Sequence, residues 1–129
     1  MSVCLALGGA CWYSIWTSVG EPFLEEYEFS QSEALEFARG RSQRDCVEEA
    51  LNRAEHCGGA ACAMHVQTFV RACAENATRS PRLCASVPST DTPLEQWPVV
   101  TCAGEIDPQL CASIHWAVAS ACEAQAGAP

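Results

Sequence analysis

Lysine is absent from this chain of 129 residues, so all seven basic residues are arginines, against sixteen acidic residues and a formal net charge of −9. No basic residue precedes Arg39. A protein that binds nucleic acid needs a basic patch to meet the phosphates. The charge balance therefore argues against nucleic acid as a partner.

The sequence also lacks the short motifs that carry catalysis or metal binding. Redox enzymes and zinc sites favour Cys-x-x-Cys pairs, whereas the closest cysteines here, Cys57 and Cys62, have four residues between them. His56, His65 and His115 are scattered along the chain, and no serine lies in a nucleophile elbow. We therefore expect no enzymatic activity, no cofactor and no metal ion.

Cysteine is abundant instead. Ten cysteines among 129 residues approach the density of disulfide scaffolds and indicate an oxidising compartment. Three intervals share one length, with ten residues between the cysteines, and a fourth such interval, Cys73 to Cys84, contains a proline. Eleven positions are about three helical turns, so both cysteines of an interval face the same way. The three intervals are Cys46 to Cys57, Cys62 to Cys73, and Cys111 to Cys122.

The first two intervals predict a helical hairpin. A Gly-Gly pair ends the first helix, and a second helix follows over about 60–77. The short connection makes the helices antiparallel. That arrangement favours nested disulfides, Cys57 with Cys62 near the turn and Cys46 with Cys73 at the open end, although other pairings stay open.

The second half is less regular. A short helix is predicted ahead of a proline-rich loop, and a longer one begins at Pro108. By analogy with the first hairpin, Cys102 would pair with Cys111, and Cys84 with Cys122. These four cysteines and the four of the first hairpin form the predicted structural set.

The N-terminal segment predicts a membrane anchor. Residues 1–20 carry no charge, and 3–19 are largely apolar, just long enough for a span of about 17–25 residues. Trp12, Tyr13 and Trp16 would form an interfacial belt. A cleaved signal peptide and a buried helix are the alternatives, but no basic region or clear cleavage site is present.

The predicted fold is therefore all-α, with one N-terminal transmembrane helix followed by disulfide-stapled antiparallel hairpins. Ser30 and Glu33 match a capping box and predict a helix start, and a second start is expected near Ser42. The predicted divisions are a transmembrane anchor over 1–24, an acidic linker or helix extension over 25–44, a first hairpin over 45–78, a second cysteine-rich segment over 79–123, and a frayed tail over 124–129.

Two helices that each carry a cysteine pair on one face resemble the coiled-coil-helix–coiled-coil-helix (CHCH) family. The resemblance rests on Cys46-x10-Cys57 and Cys62-x10-Cys73, while the interval from Cys84 to Cys102 is too long for the pattern. It implies a structural accessory subunit of a mitochondrial inner-membrane complex, of the respiratory chain or ATP synthase. Its partners would be other subunits and, through 3–19, the lipid bilayer, with the cysteine-rich domain in the intermembrane space.

Two other functions stay open. One is a bacterial periplasmic or secreted cysteine-rich binding module, which a glycan on the Asn76-Ala77-Thr78 sequon would support in a secretory host. The other is a thiol–disulfide assembly factor, for which Cys57 and Cys62 are the candidate labile pair. Cys4 and Cys11 are expected to be free thiols.

Overall fold

The fold is helical. A computed structural model of the chain describes residues 12–93 and 106–127, and within them no strand occurs. Ser42 and Thr78 form one isolated parallel bridge. The helical class predicted from the sequence is confirmed for this part of the chain. Its helices are α1 (Glu21–Ala38), α2 (Gln43–Glu55), α3 (Ala60–Asn76), α4 (Pro81–Ser86) and α5 (Pro108–Ala126), and a π-helical turn at Trp16–Gly20 precedes α1.

The predicted transmembrane helix over 3–19 is wrong. Across the described residues, every helix is too short or too polar to cross a membrane. Among the described residues, the uncharged stretch 12–20 continues directly into α1, which begins at Glu21 and also carries Glu25 and Glu26. These carboxylates fall within the roughly 20 residues that a span requires, and a charge in the hydrocarbon layer is costly. Residues 3–11 lie outside the described part.

The first hairpin begins at a capping box, as the expected start near Ser42 indicated. The Ser42 backbone N–H donates to Asp45 Oδ2 over 2.8 Å, and the Ser42 hydroxyl accepts from the Asp45 N–H. Two hydrogen bonds from Ser42 lower the pKa of Asp45. The larger contribution comes from the backbone N–H of Ser42, and the smaller from its side-chain hydroxyl. The helix is thereby fixed at its first turn, because two otherwise unpaired N–H groups gain acceptors.

Residues 25–44 were predicted as an acidic linker or a helix extension, and 25–38 belong to α1, an 18-residue helix that packs along α3. Ala34 and Ala38 are buried, and the Phe37 ring meets the Phe69 ring edge-on with centroids 5.5 Å apart. Small residues at the contact let the two helices approach closely. This segment therefore belongs to the core.

Ser30 does not start a helix, because it lies buried in the middle of α1. Its hydroxyl meets His65 on α3, and seven positions later Phe37 meets Phe69. The contacts advance in the same order along both helices, so α1 and α3 run in the same direction. The disulfides make α2 antiparallel to α3.

The core is completed by α5, which packs on α3 and α2. The predicted tail over 124–129 is partly helical, since α5 continues to Ala126, and Gln125 Nε2 donates to the carbonyl oxygens of Ala74 and Ala77. In contrast, α4 has six residues and buries none of them. The largest apolar side chains that are completely buried are Phe69, Ile114, Val70 and Val118.

Candidate functional site

The disulfides tie together the helices that the cysteine intervals predicted. Cys46 is bonded to Cys73, Cys57 to Cys62, and Cys84 to Cys122, with Cα–Cα distances of 5.8, 5.4 and 5.6 Å. These are the pairs expected from an antiparallel hairpin and from its analogue in the second half. Cys46 and Cys73 have no exposed surface, whereas both cysteines of the turn are half-buried.

The fourth predicted pair is only partly described. Cys111 is buried near the start of α5 and is disulfide-bonded. Its expected partner, Cys102, lies outside the described residues, as do Cys4 and Cys11.

A buried glutamine joins four elements behind the Cys84–Cys122 bond. The Gln43 side chain is 0% exposed. Its Nε2 donates to the Ala74 carbonyl and to Gln125 Oε1, each over 3.2 Å, and its Oε1 accepts from the Ser80 N–H over 3.1 Å. A buried amide without partners would destabilise the fold. Gln43 therefore acts as a polar anchor between α2, α3, α5 and the start of α4.

A second polar cluster centres on Arg53 of α2. Its guanidinium donates to Glu33 of α1 over 2.6 Å and to Glu49 over 3.0 Å, and it lies 3.9 Å from the centroid of the Phe69 ring. Burial by itself lowers the pKa of Arg53, but the hydrogen bonds to the two glutamates raise it above its usual value. The charge of Arg53 thus holds α1 against the hairpin.

Glu26, Ser30 and His65 meet between α1 and α3, although nothing in the sequence predicts that these three residues are in contact. Ser30 Oγ lies 2.9 Å from His65 Nδ1, and His65 Nε2 lies 2.7 Å from Glu26 Oε1. With a neutral imidazole, the Ser30 hydroxyl donates to Nδ1 and the Nε2–H donates to Glu26, so each polar atom has a partner. Their separation in sequence hid this cluster, because no local motif brings the two helices together.

The cluster has the residue types of a hydrolytic triad but not its arrangement. In a triad the serine bonds Nε2 and the carboxylate bonds Nδ1, the reverse of the pairing here. Ser30 is buried within a helix, where backbone N–H groups are already bonded inside the helix and cannot stabilise an oxyanion. The three residues therefore serve as a polar clamp between α1 and α3.

The side of α1 that points away from α3 combines apolar and acidic side chains. Phe29 is 68% exposed, and Leu24 and Leu35 are each 44% exposed. The 18 residues of α1 include no basic residue. We call this surface the outer face of α1, and define it by its exposed members Leu24, Glu25, Glu28, Phe29, Ser32, Leu35 and Glu36.

Exposed aromatic residues lie on the helical turns that precede α1. Trp12 and Tyr13 are 72% and 70% exposed, and Trp16 precedes the outer face by two turns. From residue 12 to Ser30 the described helix spans about 27 Å at 1.5 Å per residue, whereas α3 has five residues before His65, about 8 Å. The N-terminal part of this helix therefore projects past the end of α3.

An open groove of about 680 Å³ lies between α3 and α5. Trp116 and Ala112 supply apolar surface, and Arg71 is the charged residue that lines it. Arg71 already contacts Glu75 of its own helix over 3.4 Å. Gln67, Gln109 and Ser113 add polar groups to the lining, so the groove combines polar and apolar surface. We favour the outer face of α1 as the candidate site because it exposes three large apolar side chains along one helix, whereas the groove exposes Trp116.

Among residues 12–93 and 106–127, no group of three or more histidine, cysteine or acidic side chains is placed to hold a metal ion. Comparison with known proteins adds no assignment: no family model, no curated protein and no solved structure matches the chain. The likeness to CHCH proteins therefore rests on the cysteine spacing alone.

Proposed function

We propose that this protein is a non-enzymatic accessory subunit, a disulfide-braced helical scaffold that docks onto a partner protein through the outer face of α1. The observation that carries the proposal is the contrast between the two sides of α1. Inward, Glu33 meets Arg53 and Ser30 meets His65. Outward, large apolar side chains and carboxylates are exposed along the same 18 residues.

The chemistry of the outer face selects the kind of partner. Fully burying a leucine or phenylalanine side chain stabilises a complex by about 1.5–3 kcal/mol, so Leu24, Phe29 and Leu35 can anchor a helix in an apolar groove. Glu25 and Glu28 would meet arginine or lysine at the rim of that groove. A second copy of the same face is disfavoured, because like charges would oppose each other. The partner is therefore a protein with an apolar groove edged by basic residues.

The disulfides support an oxidising location, since such bonds persist outside the reducing cytosol. The likeness of the Cys46–Cys73 hairpin to CHCH proteins favours the mitochondrial intermembrane space. A subunit of the respiratory chain or of ATP synthase would meet its neighbours there. The proposal requires no membrane span in this chain.

Site-specific photo-crosslinking tests the docking surface. The full chain would carry a photoreactive residue at Phe29 or, as a matched control, at Ala85, which is exposed on α4. After irradiation in the native source, Phe29 should give one adduct of defined mass, and Ala85 should not. The double change L24S and L35S should abolish that adduct while leaving helical content unchanged.

The proposal fails if the native protein sediments as a free monomer after mild extraction. It also fails if the Phe29 and Ala85 probes give the same set of adducts, since that result would mean non-specific capture.

A thiol–disulfide assembly factor is the second candidate, and the accessibility of the turn disulfide favours it. Cys57 and Cys62 are half-buried, and the two glycines between them are exposed. A catalytic pair would have a reduction potential in the range of disulfide oxidoreductases, about −270 to −120 mV. A value below about −300 mV for Cys57–Cys62 would exclude this function.

A secreted or periplasmic binding module differs from the proposal in location. Asn76 is exposed at the end of α3, and its Nδ2 donates to the Ala72 carbonyl over 2.8 Å. Mass spectrometry of the native protein decides the point. A glycan on Asn76, or loss of about the first twenty residues, would place the chain in a secretory route.

A further inference from the structure

The attachment of α4 combines one covalent bond with a small number of local contacts. None of its six residues is buried, and the Cys84–Cys122 disulfide ties it to α5. Leu83 and Val87 are partly buried and pack against the core. A helix of this length is far below the 12–15 residues at which isolated helices become even marginally stable. Opening the bond would leave α4 with the contacts of Leu83 and Val87 and with two hydrogen bonds of Ser80, in which its N–H donates to Gln43 and its hydroxyl accepts from the Arg44 N–H. We expect these contacts to be too few to keep six residues helical.

The sulfur atoms of this bond face a hydrogen-bond acceptor. Gln43 Oε1 lies 3.2 Å from Cys84 Sγ and 3.6 Å from Cys122 Sγ, in a position without solvent exposure. A disulfide has no proton to donate, whereas a thiol is a weak donor. One lone pair of this oxygen accepts from the Ser80 N–H, so the other can accept one S–H group in the reduced state and gains no hydrogen bond from sulfur in the oxidised state.

We propose that Cys84–Cys122 is a redox-sensitive tether, in which reduction releases α4 from α5 and Gln43 stabilises the reduced form by accepting from the Cys122 thiol, which stays on α5. A dithiol reductant supplies two electrons and two protons. The S–S bond breaks, Cys84 and Cys122 become thiols, and the reductant becomes a disulfide. Release of α4 withdraws Leu83 and Val87 from the core that they cover.

Accessibility separates this bond from the disulfide of the hairpin core. Cys84 is half-buried and lies on a helix of six residues, so this bond can be exposed by a local displacement of α4 without unfolding of the bundle. Cys46 and Cys73 have no exposed surface, and their bond opens only when the hairpin does. The tether therefore opens under milder conditions than the bond that holds α2 to α3. The proposal goes beyond docking, since it stands whichever protein binds α1.

Redox titration of the full chain tests the tether. The protein is equilibrated in mixtures of reduced and oxidised dithiothreitol, free thiols are alkylated, and mass spectrometry measures the modified fraction at each cysteine. We expect Cys84 and Cys122 to be reduced at a reductant-to-oxidant ratio at least about tenfold lower than Cys46 and Cys73, a difference of about 30 mV. Reduction of both bonds in one step would overturn the proposal.

The change Gln43→Met tests the acceptor, because it keeps a long side chain and removes the oxygen. The ratio needed to reduce Cys84–Cys122 should rise about tenfold, while that for Cys57–Cys62 stays the same. An unchanged Cys84–Cys122 midpoint would contradict the role of Gln43.

A second measurement covers the case in which Gln43→Met does not fold. Hydrogen exchange of C84S/C122S should show loss of amide protection over 81–86, with protection retained in α2 and α3. Retained protection over 81–86 would overturn the tether, because α4 would then be held without the bond.

Discussion

Helices α1 and α4 are attached to the rest of the bundle in different ways. Helix α1 has 18 residues, buries Ala34 and Ala38, and places Phe37 against Phe69. Helix α4 has six residues and buries none, but carries one end of the Cys84–Cys122 bond. One helix is held by packed surface and buried polar contacts, and the other by a covalent bond beside a glutamine. A disulfide here substitutes for a packed interface that six residues cannot supply.

The largest loss of stability is expected from a substitution that disrupts the packed attachment of α1. Phe69 is buried beneath Phe37 and Arg53, so Phe69→Ala should reduce the free energy of unfolding by about 3–5 kcal/mol. Chemical denaturation followed by circular dichroism measures the loss. Phe29→Ala is the matched control, since an exposed ring should change stability by less than about 0.5 kcal/mol. Equal losses would mean that α1 is not anchored at Phe69.

The next largest loss of stability is expected from removing the covalent attachment of α4. The loops closed by Cys84–Cys122 and Cys57–Cys62 span 38 and 5 residues. In the chain-entropy model the longer loop gives about 2 kcal/mol more stabilisation. C84S/C122S should therefore lower the urea midpoint more than C57S/C62S. The reverse order would show that native contacts at the turn outweigh loop entropy.

A smaller effect is expected at the cap that starts the hairpin. Ser42→Ala removes the hydroxyl that accepts from the Asp45 N–H, and loss of such a cap costs about 0.5–2 kcal/mol. Thermal unfolding measures this loss. Ser113→Ala is the control, since that hydroxyl donates to a backbone carbonyl on the surface of α5. A Ser42→Ala effect no larger than the control would mean that α2 does not depend on its capping box.

The smallest effect is expected in the pH dependence of stability, to which His115 of α5 contributes. Burial lowers the pKa of His115 below its ordinary 6.5, and the Nε2 atom has no hydrogen-bond partner among the described residues. The folded chain then binds fewer protons than the unfolded chain, so this residue makes stability fall as the pH drops below about 6.5. His115→Leu should reduce the difference in urea midpoint between about pH 8 and pH 5.5. An unchanged difference would show that His115 is not the group responsible.

The sequence was informative where the determinants of structure are local. The eleven-residue cysteine steps, the Gly-Gly turn and the Ser42 cap identified the α2–α3 hairpin, because each depends on residues within a few turns of one another. The same kind of reasoning misread α1. Its buried stripe consists of Ser30, Ala34 and Ala38, too small and polar to stand out against the exposed Leu24 and Phe29.

The buried polar contacts could not be predicted from the sequence for a related reason. The partners of Gln43 include Ala74 and Gln125, which lie 31 and 82 positions away. Nothing near Gln43 in the sequence marks it as buried. Ser30, His65 and Glu26 likewise come together because α1 packs beside α3 in the same direction, an arrangement that no local period specifies.

The position of the turn disulfide has a consequence for handling the protein. Gly58 and Gly59 are exposed between Cys57 and Cys62, so a protease that cuts there leaves the two fragments joined through sulfur. A cleaved chain would migrate as one species without reductant and as two with it. The Cys46–Cys73 bond closes the other end of the same hairpin, so this bond and the turn disulfide must both be reduced before the two fragments separate.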